Sequence, residues 1–141
     1  MTFHEKSRGI ALVANLAVWG WYFVIVARAV AAGYPDEPYP MWLMVPVIGA
    51  LTIIHVVAHI VVAVMNPSEA NEGLDERGRA IGYRASAWGY DILCVGVFAV
   101  IVASFFWWNS FMIVNSLMFA FILAETVRYA IEIRAYRRGL A

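Results

Sequence analysis

Four predominantly apolar stretches divide the chain, running from about Gly9 to Ala32, Met41 to Met65, Arg84 to Trp107 and Phe111 to Tyr129. Each is near the roughly 20 residues that a helix needs to cross a bilayer. The connections between them differ in kind. Gly33 to Pro40 reads Gly-Tyr-Pro-Asp-Glu-Pro-Tyr-Pro, and its prolines end one helix and begin the next. Asn66 to Tyr83 is the one long polar stretch, and its second half, Leu74 to Tyr83, is predicted to form a polar helix feeding into the third span. Trp108, Asn109 and Ser110 leave so little chain that the third and fourth helices must form a tight antiparallel hairpin. Glu125, Arg128, Glu132 and Arg134 continue the last helix with opposite charges three or four residues apart, to about residue 136. The pattern predicts an all-α protein, one transmembrane domain over residues 1–141, in which four helices run up-down-up-down as a bundle.

Composition agrees. At 63% hydrophobic and 14% charged residues, with a mean hydropathy of +0.73, the 141-residue chain is too apolar for an ordinary water-soluble domain. Formal net charge is zero and the basic residues form short clusters, which argues against a nucleic-acid surface. The charged N-terminus resembles the start of a signal peptide. The apolar run after it is of spanning length and shows no small-residue cleavage site, so a retained first helix is expected.

Lysine and arginine near span ends are held in the cytoplasm. Lys6 and Arg8, then Arg77, Arg79 and Arg84, then Arg134, Arg137 and Arg138 all fall on one side of a four-span arrangement. The other side carries Asp36 and Glu37 with Tyr34, Tyr39, Trp42, Trp107 and Trp108, an interfacial aromatic belt. Both termini and the long loop are thus expected in the cytoplasm.

Two segments carry a resemblance: Asp75-Glu76-Arg77-Gly78-Arg79-Ala80-Ile81 before the third span, and Ala124-Glu125-Thr126-Val127-Arg128 with Tyr136-Arg137-Arg138-Gly139 at the end. They resemble small bacterial four-helix inner-membrane proteins with an Asp-Glu-Arg-x-Arg-x-Ile loop and a Tyr-Arg-Arg-Gly tail. The resemblance covers roughly the C-terminal half. It implies the four-span topology and a multi-pass location in the bacterial inner membrane, and nothing about reaction chemistry.

Ionisable groups inside a span are costly unless they face a partner or water. The second helix holds His55 and His59, the third Asp91 and Cys94, the fourth Asn115 and Glu125, and the first Asn15 and Arg28. At about 1.5 Å per residue, His59, Asp91 and Asn15 share a level some 10 Å from the cytoplasmic ends, with Glu125 close to it. His55 and His59, four apart, project from one helix face, the spacing by which two imidazoles hold one metal ion. His55, His59, Asp91 and Glu125 are therefore candidate ligands for zinc, iron or manganese, with Asn15, Cys94 and Arg128 as supporting groups. Both positions between the histidines nearest the first are valine, so this is not a zinc-protease signature.

A plainer reading uses the same residues. Each histidine can donate to a carbonyl or to Asn15, Asp91 can pair with Arg84 or Arg128, and Glu125 and Arg128 can neutralise each other. Arg28 snorkels to the outer interface. A haem needs histidines on facing helices, and the spans hold no lysine for a Schiff base. Trp19, Trp21, Tyr22, Trp88 and Tyr90 read as packing or interfacial aromatics, against which a flat ligand such as a quinone can stack.

The favoured function is non-enzymatic: an intramembrane polar site that binds a metal ion or relays protons, in a sensor or small carrier. One alternative is a regulatory protein whose cytoplasmic loop and tail dock a partner protein; another is a metal-dependent membrane enzyme. Besides membrane lipid, a second copy of the chain is an expected partner. Ala11, Ala14, Ala17 and Gly20 on the first helix and Ala85, Gly89, Gly96 and Ala103 on the third permit close helix approach.

Overall fold

The computed structural model describes residues 3–33, 42–65, 75–106 and 109–138, and among the described residues all regular structure is helical. Helix α1 covers Phe3–Ala31, α2 Met44–Met65, α3 Glu76–Ser104 and α4 Ser110–Arg138. All four are long and apolar enough to cross a membrane. The side chains of residues 3–6 and of His59 lie outside the description, as do the connections 34–41, 66–74 and 107–108 and the tail from 139.

Local chemistry explains the helix ends. α1 stops where Gly33 takes φ +95°, a left-handed conformation that glycine adopts without steric cost, while the Gly33 N–H bonds the Val30 carbonyl at 3.1 Å. Pro46 sits in the first turn of α2, where a missing N–H breaks no helical bond. α3 opens on Asp75, whose carboxylate accepts from the Gly78 N–H at 2.6 Å, with Glu76 in the first turn favouring the helix dipole. The polar segment and the third span therefore form one continuous helix, as the charge pattern predicts. It ends at Ser104, three residues short of the expected Trp107, in two tighter bonds from Phe105 to Val102 and from Phe106 to Ala103. Asn109 then caps α4, its side-chain oxygen accepting from the Met112 N–H at 3.0 Å.

α1 and α4 form the middle of the molecule. α2 packs principally on α1 and α3 principally on α4, so α2 and α3 lie on opposite flanks with no substantial contact between them among the described residues. Polar pairs join the middle helices. Arg8 Nε meets Glu132 at 2.6 Å, Asn15 donates to Thr126 at 3.5 Å, and the fully buried Tyr22 hydroxyl donates to Asn115 at 2.7 Å. Residue numbers rise on α1 as they fall on α4, so the two run antiparallel. Around Tyr22 an apolar core gathers Trp19 and Val26 of α1, Met44, Val47 and Leu51 of α2, and Phe111 and Ile122 of α4. Phe23 meets the Tyr22 and Phe119 rings edge to face, with centroids 5.3 Å apart in each case.

The α3–α4 seam is built from small residues. Gly89 lies against the Ala124 carbonyl and the Arg128 stem, and a methyl placed on Gly96 would stand 2.6 Å from the Ala120 methyl. Ala85 is fully buried in line with them. Three members of the α3 small-residue stripe are thus spent on packing inside the chain, whereas Gly20 of the α1 stripe faces open space. The outward faces are apolar: Ile53, Val57, Ile60 and Val64 of α2 and Val95 and Phe98 of α3 are exposed, as suits contact with lipid tails.

Candidate intramembrane site

A cavity of about 770 Å³ opens between α1, α2 and α4. Its walls are mainly apolar, with Trp19 from α1, Leu51 and Val56 from α2, and Leu117, Met118 and Phe121 from α4. Asn15, Thr52, His55, Glu125 and Tyr129 bring polar atoms to it. The cavity follows from the helix order: α2 leans on α1 at the Leu51 level and has no fourth helix behind it, which leaves the space between α2 and α4 unfilled.

Two polar groups of α2 are satisfied by their own helix. Thr52 donates to the Ile48 carbonyl at 2.9 Å, and His55 Nδ1 lies 2.8 Å from the Leu51 carbonyl. A carbonyl only accepts, so Nδ1 carries the hydrogen. In the neutral ring Nε2 is then the free acceptor of a half-buried imidazole on the cavity wall. Opposite, Glu125 binds Arg128 at 2.7 Å one turn along α4, and the guanidinium lies 4.9 Å from the centre of the Tyr129 ring. Arg128 Nε is buried without a hydrogen-bond partner among the described residues. Asn15, 6% exposed, holds Thr126 at the cavity floor.

Of the four expected metal ligands, His55 and Glu125 face this one cavity and Asp91 does not. Equal depth fixes one coordinate of a side chain; the turn of its helix fixes the other. Gly89 and Gly96 hold α3 against α4, and Asp91, two residues or about 200° beyond Gly89, is turned to the exposed side. Cys94 is exposed as well. The side chain of His59 lies outside the described residues. Among the described residues no three His, Cys, Asp or Glu side chains gather closely enough to hold a metal ion. Of the partners expected for structural neutralisation, Arg128 takes Glu125, and Asp91 has no ion-pair partner among the described residues. Asn15 lines the cavity, Arg128 is tied to it only through Glu125, and Cys94 lies away from it.

Two polar contacts escaped the sequence pattern. Glu132 reads as a cytoplasmic surface charge, yet it is 3% exposed and clamped by Arg8, whose guanidinium also lies 5.9 Å from the Tyr129 ring centre. Tyr22 reads as a packing aromatic, yet its hydroxyl is the buried donor to Asn115. Asn115 in mid-span was the available signal, because a buried amide requires a partner. The expected docking elements fall only partly within view: Arg77 and Arg79 are exposed on the first turn of α3, while 66–74 and 139–141 lie outside the described residues. The chain matches no protein-family model, no curated protein and no solved structure.

Proposed function

We propose that this is a non-enzymatic membrane protein that holds a lipid-soluble, hydroxyl-bearing small molecule in the α1–α2–α4 cavity, as a sensor or small carrier. The observation that carries the reading is the cavity itself. Some 770 Å³ of mainly apolar space, with the His55 imidazole on one wall and the Glu125 carboxylate on another, has the size and polarity balance of a small-molecule site. A ligand hydroxyl would donate to His55 Nε2 while its apolar body fills the space beside Trp19 and Phe121.

The chain is read as spanning the bacterial inner membrane up-down-up-down, with both termini, the 66–75 connection and the start of α3 in the cytoplasm, on the strength of its arginine clusters. Exposure of Tyr90 and Asp91 on the lipid side of α3 supports a second copy as partner, because a carboxyl left facing hydrocarbon is costly.

Equilibrium dialysis of the protein in nanodiscs against a short-tailed hydroquinone and its O-methylated counterpart tests the ligand reading. The hydroxyl form should bind the more tightly, and His55→Leu should weaken it roughly tenfold, the worth of one hydrogen bond. Leu117→Trp should fill the cavity and abolish binding of both. Binding indifferent to both substitutions sinks the reading. Stoichiometric metal that survives purification and is lost in His55→Ala would replace it with metal coordination.

A further inference from the structure

A second groove, of about 330 Å³, lies at the other end of the α1–α4 seam, lined by Leu12 of α1 and by Ala130, Ile133, Arg134, Arg137 and Arg138 of α4. Positions 130, 134 and 138 follow one another at four-residue spacing, so they share one helix face, flanked by 133 and 137. The order along that face is apolar first, cationic last. The Arg8–Glu132 pair fixes the register of the seam, which puts Leu12 a turn deeper than the pair and the three arginines at or beyond it.

We propose that this groove binds the headgroup of an anionic phospholipid, with the start of an acyl chain lying along Leu12, Ala130 and Ile133. From Ser110, about 30 Å of hydrocarbon accounts for roughly 20 residues of helix, ending near Ala130. Arg134 then stands at the depth of the lipid phosphates, and Arg138 one turn, about 6 Å, further out. Glu132, on the same helix, is already held by Arg8, and among the described residues neither Arg134 nor Arg138 has an ion-pair partner, so the arginines give the groove a net positive charge. A free phosphate ion would use the arginines alone. The apolar floor, with Leu12 and Ile133 half-buried and Ala130 exposed, is continuous with the membrane side and matches an amphiphile instead. The site is separate from the ligand cavity and stands whether or not that cavity is occupied.

The test is native mass spectrometry of the full chain released from detergent containing equal dioleoyl phosphatidylglycerol and dioleoyl phosphatidylcholine. Wild type should retain phosphatidylglycerol roughly thirtyfold over phosphatidylcholine, the preference expected from two arginines at a membrane surface. Arg134→Gln/Arg138→Gln should bring the ratio near one, Arg134→Lys/Arg138→Lys should keep most of it, and Arg84→Gln on α3 should leave it unchanged. The single variants Arg134→Gln and Arg138→Gln, both on exposed side chains, give the same reading should the double variant misfold. Equal retention of the two lipids by wild type overturns the proposal, as does an undiminished preference in the glutamine variants. Displacement of phosphatidylglycerol by millimolar glycerol 3-phosphate also overturns it, by assigning the groove to a soluble phosphate.

Discussion

Gly96→Ala is the most direct test of how α3 meets α4. The added methyl would stand 2.6 Å from the Ala120 methyl, whereas two such carbons rest comfortably at about 3.5–4.0 Å. Neither group has a torsion to turn aside, so the helices must part by about 1 Å. A gap of that size forfeits a quarter to a half of the dispersion energy along the seam, and overpacking of this kind costs about 1–3 kcal/mol. The Gly→Ala gain in helix propensity, about 1 kcal/mol, offsets part of it. A net loss of up to about 2 kcal/mol should appear as an earlier midpoint when the protein in mixed micelles is unfolded with sodium dodecyl sulfate and followed by circular dichroism. Gly20→Ala, with nothing within 4 Å of the new methyl, is the control and should show no such loss. Ala120→Gly in the Gly96→Ala background moves the methyl across the seam and should restore most of the stability, giving a favourable coupling of about 1 kcal/mol or more. Gly96→Ala as stable as wild type, or a double variant whose losses simply add, would refute the close approach.

Tyr22→Phe strands the buried Asn115 oxygen and should cost about 1 kcal/mol in the same unfolding assay; an unchanged midpoint would mean that the bond contributes nothing. Arg8→Leu leaves the buried Glu132 carboxylate alone and should destabilise by about 1–3 kcal/mol, more than Arg8→Leu/Glu132→Leu together, and a double variant worse than the single contradicts the ion-pair argument. Mass measurement in lipid nanodiscs should find at least two copies, and Asp91→Leu should shift the population toward monomer; a monomeric wild type removes the second copy as partner. Reporter fusions at residue 141 and within 66–74 should both register as cytoplasmic, and periplasmic activity at either would reverse the proposed orientation.

The four helices were legible because hydrophobic length is a one-dimensional signal, and so was the continuous α3, announced by Asp75 and Glu76 ahead of the span. The Glu125–Arg128 pair was legible for the same reason: residues three apart on a helix meet whatever surrounds them. The grouping of Asp91 with His55 was different in kind. It rested on depth alone, whereas α2 and α3 lie on opposite flanks, and the seating of α3 depends on Gly89 and Gly96 finding Ala124 and Ala120, a contact between two helices that neither pattern states. Glu132 shows the same limit from the other side. Its charge marks it for solvent, and only the approach of α1 with Arg8 makes its burial tolerable.

The seam between the first and last helices also sets a timetable for biogenesis. Tyr22 and Asn115 are 93 residues apart, and Asn15 and Thr126 111. At about 5–20 residues per second of synthesis, α1 enters the membrane some 5–20 s before its polar partners on α4 exist. During that interval its tyrosine hydroxyl and asparagine amide must find water, lipid headgroups or an insertion factor. A ribosome that pauses before Ser110 therefore prolongs the period in which Asn15 and Tyr22 lack the partners they hold in the folded chain.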